Sequence, residues 1–371
     1  MAAGRRRGPE NSACLLSFSG FKFSQTRMAG VDLPAQRFLN REILSSVILT
    51  LRSQNDATRL TGSFHSFGSV TMLVDLVQVE TVDGVRLDGA LRTPRTATAS
   101  ALGVDVMIMH HGVGDNFYHS SLFDDYSDAL VERGCAVLRV NNRGHDLVSS
   151  AVVRQAGQRP KSRRMGAAYE DIEACRHDFE AWVELAHVAG YRRIGLWGHS
   201  LGAAKSIYYM ATRKDSRVNC VVAASPPRFS FADFLAADDS DSFRSNVALA
   251  ERHVQQGNPD MLLDVRFPIP LLVSARTFLQ KYGSQDHFDI LSHIPQLTVP
   301  TLILIGTREA QTMIAFQGLP LKIAQLADEL EHLTFALIEG ADHLYTQQRH
   351  EVWQVVCSWL ETGAQGSGLD F

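Results

Sequence analysis

The chain has 371 residues, 45% of them hydrophobic and 20% charged, with a formal net charge of −4 at pH 7. That balance suits a folded protein with a large core, not a disordered chain, and it lacks the basic excess of a nucleic-acid binder, so no nucleic-acid partner is expected. Its five cysteines, Cys14, Cys135, Cys175, Cys220 and Cys357, are scattered and without CxxC spacing, which argues against a disulfide framework or a zinc site and for a reducing compartment.

Residues 1–72 show no clear period and are expected to form a partly disordered extension. Arg5, Arg6 and Arg7 stand ahead of the weakly apolar run Cys14 to Phe18, a pattern that only loosely matches a targeting segment. No run is long enough to span a bilayer, so a cytoplasmic protein without an integral membrane segment is expected. Phe38 to Leu51 is apolar enough for a helix. From Leu73 the text changes. Val77, Val79, Val85 and Leu87 alternate with polar residues around Asp83-Gly84, which predicts a hairpin.

Strands and helices then alternate. Val104 to Met109 is a continuous apolar run, as in a strand buried on both faces. A helix is expected around Tyr126 to Arg133, a strand over Ala136 to Val140, and an amphipathic helix over Tyr169 to Ala186. Arg193 to Trp197 predicts a strand, Leu201 to Ala211 a helix and Val218 to Ala223 a strand. The rhythm breaks over 225–297, where helical periods and prolines suggest an inserted helical cap. It resumes with a strand at Pro300 to Gly306, a helix at Pro320 to Leu330, a strand at Leu333 to Ile338 and a helix at Glu351 to Leu360. This predicts an α/β fold, with a mostly parallel twisted sheet covered by helices on both faces. The core would run over 73–224 and 298–362, split by the cap, with 363–371 as a flexible tail.

Gly198-His199-Ser200-Leu201-Gly202 lies between a predicted strand and a predicted helix. That context makes a G-x-S-x-G match a candidate nucleophile elbow with Ser200 at its tip. Gly198 and Gly202 allow a turn too tight for side chains at those positions. A serine hydroxyl needs a base. Of the later histidines, His343 in Gly340-Ala341-Asp342-His343 follows the last strand and should reach the sheet edge where Ser200 emerges. His332 precedes that strand, and His253, His287 and His293 fall in the insertion. Glu309, after the strand ending at Gly306, is the favoured acid, with Asp233 as its competitor. Leu201 and the loop His110-His111-Gly112-Val113-Gly114 are expected to supply oxyanion donors, through the Leu201 and Val113 N–H groups. No His/Asp/Glu partner set accompanies His110 and His111, so no metal is expected.

These motifs resemble the α/β-hydrolase superfamily. The matching pieces are His111-Gly112, Asn142-Arg143-Gly144-His145, the elbow at Ser200, Gly306-x-x-Glu309 and Gly340-Ala341-Asp342-His343, in order over about residues 73–361. The acid loop carries Glu309 where many relatives carry aspartate, and the first 70 residues have no counterpart in the minimal fold. A serine nucleophile speaks against the epoxide hydrolases and haloalkane dehalogenases of the superfamily, which use aspartate there. The resemblance implies a serine hydrolase acting on a small-molecule ester or related acyl substrate without a cofactor, as a monomer or homodimer. Acyl transfer, amide or carbon–carbon cleavage, and a non-catalytic binding protein on the same scaffold are the alternatives. Phe229, Phe231, Phe234, Leu262, Leu263, Phe267 and Phe278 of the insertion either line an apolar pocket or pack the cap.

Overall fold

The computed structural model describes residues 46–47, 74–95, 99–154 and 157–362. The expected extension over 1–72 falls outside these residues except at Ser46–Val47, and the expected tail over 363–371 falls outside them entirely. Ser46–Val47, within the segment expected as helical, forms a short strand (β1) paired antiparallel with Val74 and Asp75. The unpaired backbone groups at a sheet edge favour such an addition over a helix.

The predicted hairpin is present as β2 (Val74–Glu80) and β3 (Arg86–Arg92), antiparallel with Gln78 opposite Asp88. Next come β4 (Val106–His110), α1 (Ser121–Glu132), which starts five residues before the expected Tyr126, and β5 (Ala136–Val140). A second hairpin follows, β6 (Ser149–Val153) with β7 (Lys161–Met165). Then α2 (Cys175–Val188), β8 (Ile194–His199), α3 (Leu201–Arg213) and β9 (Val218–Ala224) complete the first part of the sheet. The helix expected from Tyr169 begins at Cys175. The stretch before it bonds instead to a distant segment, the Glu170 carbonyl accepting from Thr277 Oγ1 at 2.9 Å.

Between β9 and the next sheet strand lie α4 (Phe231–Ala236), α5 (Ser240–Gln255), β10 (Leu262–Val265), β11 (Leu271–Ser274), α6 (Ala275–Tyr282) and α7 (Ile290–His293). This segment is therefore not wholly helical, since β10 and β11 form an antiparallel hairpin of four residues a side. The chain ends with β12 (Thr301–Gly306), α8 (Thr307–Thr312), α9 (Leu319–Glu329), β13 (Leu333–Ile338) and α10 (Arg349–Glu361).

The main sheet has the order β1-β2-β3-β5-β4-β8-β9-β12-β13. Its six strands from β5 to β13 are parallel, and β2 and β3 form an antiparallel edge. Successive strand residues face opposite sides. Val106 and Ile108 of β4 therefore join one core with Phe179, Trp182 and Ile207 of α2 and α3. Met107 and Met109 join a second core with Phe123 and Leu130 of α1 and with Val356 and Trp359 of α10. Burial on both faces explains the unbroken apolar text of β4 and β12. Parallel strands also bring the carboxyl ends of β4, β5, β8, β9, β12 and β13 to one edge, where open α/β sheets bind ligands.

The loop after β5 is tied to that frame by charge. Arg143, 1% exposed, donates from Nη2 to Asp178 Oδ1 at 2.7 Å and from Nη1 to Asp83 Oδ2 at 2.9 Å, while its backbone N–H donates to Asp178 Oδ2 at 2.9 Å. Replacing Asp178 by alanine leaves a buried guanidinium with half of its compensation. The expected cost is about 3–5 kcal/mol in urea unfolding. A loss below about 1 kcal/mol would show that Asp83 alone suffices.

Candidate active site

The strand β8 runs directly into α3, and Ser200 at the junction has φ 55° and ψ −124°. A non-glycine residue in that region costs on the order of 1–3 kcal/mol and persists only where its surroundings enforce it. Here they do. A Cβ added to Gly198 would lie 2.4 Å from the Gly202 carbonyl carbon, and one added to Gly202 would lie 2.2 Å from His110 O. Both contacts are to backbone that cannot yield. The Ser200 N–H donates to Ala224 O at 2.9 Å, which ties the turn to the next strand.

Ser200 Oγ lies 2.9 Å from His343 Nε2, and His343 Nδ1 lies 2.7 Å from Glu309 Oε2. His343 comes from the loop after β13, and Glu309 from the first turn of α8, just beyond β12. Glu309 is 1% exposed; its second oxygen, Oε1, accepts the Gly306 N–H at 2.7 Å and the Ser225 hydroxyl at 2.6 Å. An ionised carboxylate only accepts, so the network assigns the proton to Nδ1 and leaves the Nε2 lone pair facing the serine hydroxyl. The Tyr345 hydroxyl sits 2.6 Å from Ser225 Oγ and 3.2 Å from Leu304 O. Burial and the Glu309 charge hold the Tyr345 phenol well above its ordinary pKa, so it stays neutral.

Asp233 is not in this relay: it pairs with Arg228 on the insertion. Asp342 Oδ1 accepts from the Leu344 and Thr346 N–H groups and so shapes the loop that carries His343. His332 stands before β13, and His293 Nε2 bonds the His287 carbonyl at 2.8 Å. Three residues of the site went unread in the sequence. Ser225 and Tyr345 support Glu309, and His199 donates from Nε2 to the His343 carbonyl at 2.8 Å. Burial drives the His199 pKa down to about 3, so the ring is neutral and braces the loop that carries His343.

The loop after β4 is organised by its two histidines. Burial lowers His110 to about 3 and His111 to about 4, so both rings are neutral. His111 Nε2 accepts the Asn142 N–H at 3.1 Å, which puts the proton on Nδ1, 2.7 Å from the Gly112 carbonyl. Across a trans peptide the carbonyl and the next N–H point opposite ways. With its carbonyl held by His111, the Gly112–Val113 peptide turns the Val113 N–H away from that ring. Leu201 N–H opens α3 and has no intrahelical partner by position. Among the described residues neither N–H is paired within the protein.

Val113, Ser200, Leu201 and His343 line one cavity of about 290 Å³. The insertion also lines it, with Phe229, Phe234 and Ile269, as does Phe316 beyond α8. Of the expected pocket residues, Phe229 and Phe234 line this cavity, whereas Phe231, Phe267 and Phe278 pack tilted or edge-on against Phe243. Among the described residues no group of three or more His, Cys, Asp or Glu side chains is set to hold a metal, and no helix is long and apolar enough to cross a membrane.

Residues 107–355 match the family model described as Alpha/beta hydrolase family. No curated protein matches significantly. Among solved structures, the chain is similar to the α/β hydrolase GrgF from Penicillium sp. sh18, at 17% identity and a TM-score of 0.55 over 78% of this chain and 99% of that one. It is also similar to Est1E from Butyrivibrio proteoclasticus with ferulic acid bound, at 16% identity and 0.52 over 77% and 99%. A monoacylglycerol lipase from Paleococcus ferrophilus aligns at 18% identity and 0.51 over 75% and 99%. At such identities the likeness concerns the fold.

Proposed function

The chain belongs to the alpha/beta hydrolase family, and we propose that it is a serine hydrolase cleaving carboxylic esters through an acyl-enzyme, with Ser200, His343 and Glu309 as its catalytic triad. The observation that carries this reading is the hydrogen-bonded chain Ser200–His343–Glu309 opening onto a mainly apolar cavity. His343 Nε2 takes the hydroxyl proton as Ser200 Oγ attacks the ester carbonyl, and Glu309 stabilises the imidazolium that forms. The Val113 and Leu201 N–H groups receive the oxyanion. His343 then protonates the departing alkoxide. Water enters, gives its proton to the same nitrogen and releases the acid. No step calls for a cofactor.

An ester is favoured because the cavity wall is mainly apolar, and esters ask least of such a site. A monoacylglycerol lipase of the same fold is in keeping with that choice. In this reading the segment between β9 and β12 acts as a cap that closes the acyl site from water. The test is labelling with a fluorophosphonate probe together with turnover of a panel of esters, with alcohols and amines offered as acceptors. Wild type should label and release free acid, and Ser200→Ala should do neither. A wild type that fails to label would point to a binding protein on this scaffold. Transfer products in place of free acid would point to an acyltransferase.

A further inference from the structure

Among the described residues lining the Ser200 cavity, Lys281 is a charged side chain that the triad does not use. It sits in the last turn of α6 and is 3% exposed. Among the described residues its ammonium has no hydrogen-bond partner and no carboxylate oxygen within 4.0 Å. The acidic group whose charge acts on it is Glu170, whose Oε1 pairs with Lys205 while its Oε2 has no hydrogen-bond partner among the described residues. Lys205, 2% exposed, contacts Glu170 Oε1 directly. Gly144 makes room for that carboxylate, since a Cβ there would fall 2.3 Å from it. Two buried ammonium groups thus stand with one carboxylate, which leaves the three a net charge of plus one.

A buried charge without a partner is costly. Burial brings the Lys281 pKa down to about 8, with Glu170 opposing the fall and Lys205 adding to it. Apart from Ser200, His343 and Lys281, the cavity is lined by apolar side chains and the Tyr282 phenol. A mainly apolar cavity with one cation that no carboxylate of the described residues contacts suits a ligand that is largely apolar and carries a single negative charge. A dianion such as a phosphate monoester would overshoot the single charge.

We propose that the cavity takes esters whose bound portion ends in a carboxylate, held by Lys281 Nζ while the ester carbonyl lies at Ser200. This rests on Ser200 being the nucleophile. For a diacid hemiester, water adds, the acyl–oxygen bond breaks, and the products are a dicarboxylate, an alcohol and one proton.

Two measurements test it. The first needs no catalysis: thermal shift of Ser200→Ala with ethyl hydrogen adipate, with ethyl hexanoate and with 6-acetoxyhexanoate, which carries its carboxylate on the alcohol side. One of the two carboxylates should raise the melting temperature and the neutral ester should not, and Lys281→Met in the Ser200→Ala background should remove the difference. The second is kcat/KM for ethyl hydrogen glutarate, adipate and suberate and for 6-acetoxyhexanoate, against neutral esters of equal length. A charge-assisted hydrogen bond predicts a preference of about 10- to 100-fold for the anionic ester. Lys281→Arg should keep the preference, and Lys281→Met should bring the ratio to one or below. If neither carboxylate shifts Ser200→Ala, or if the wild type prefers the neutral esters throughout, Lys281 is only a second counter-ion for Glu170 and the inference is wrong. A shift without any turnover of either class would sink the hydrolase reading and leave the anion site standing.

Discussion

Ser200→Ala is expected to lower kcat on ester substrates by about 10⁶-fold, the loss typical when the nucleophile of a serine triad is removed. Binding should change little, because the methyl group keeps the shape of the cavity floor. Stability should change little as well, since alanine meets the same strained φ of 55° that serine does. Ser200→Gly separates the two effects. It should be equally inactive but more stable by roughly 1 kcal/mol, because glycine relieves a backbone conformation that other residues adopt at a cost. In the proposed triad the groups act as one unit, so Ser200→Ala combined with His343→Ala should be no slower than Ser200→Ala alone. Single-turnover assays with an activated ester measure all three variants. If the double variant fell a further 100-fold, His343 would be doing something besides deprotonating Ser200.

The elbow was legible because three independent signals coincide there: an apolar run, glycines two residues either side of a serine, and a helix-forming stretch. His343 and Glu309 followed from chain order alone, since a parallel sheet brings the ends of β12 and β13 to the edge where Ser200 emerges. What escaped depends on contacts that leave no local trace. Ser225 meets Glu309 across 84 residues and Tyr345 across 120, and neither hydroxyl differs in sequence from one on the surface. The β10–β11 hairpin pairs only with itself, and its four-residue strands are too short to show a period beside Pro268 and Pro270. Most of β7, Lys161 to Arg164, is exposed and polar, so it reads as a loop. Lys281 looks like any solvated lysine on an amphipathic helix until α6 is packed against the loop that holds Glu170.

Glu309→Gln is expected to reduce kcat by about 10⁴-fold, far more than a lost surface charge. Glutamine is nearly isosteric, so its carbonyl oxygen can take over the Gly306 N–H and the Ser225 hydroxyl that Oε1 accepts now. Its amide nitrogen then faces His343 Nδ1 as a donor. The ring must answer with an acceptor, which moves its proton to Nε2 and points an N–H at Ser200. In that tautomer the imidazole cannot receive the serine proton, and the corresponding change in a serine protease costs about this much. Glu309→Asp keeps the charge but is one methylene shorter, so its loss should lie well below that of Glu309→Gln. Ser225→Ala leaves the carboxylate and the tautomer in place and removes one hydrogen bond to a buried charge. That bond is worth about 1.5–3 kcal/mol, so the variant should lose stability before it loses rate. The order Glu309→Gln, then Glu309→Asp, then Ser225→Ala in kcat, with Ser225→Ala showing a clear loss in denaturant unfolding, would distinguish a group that sets the tautomer from one that supports the group setting it. If Glu309→Gln kept within ten-fold of wild-type activity, His343 would have to be oriented by something else, and its carbonyl bond to His199 would be the next place to look.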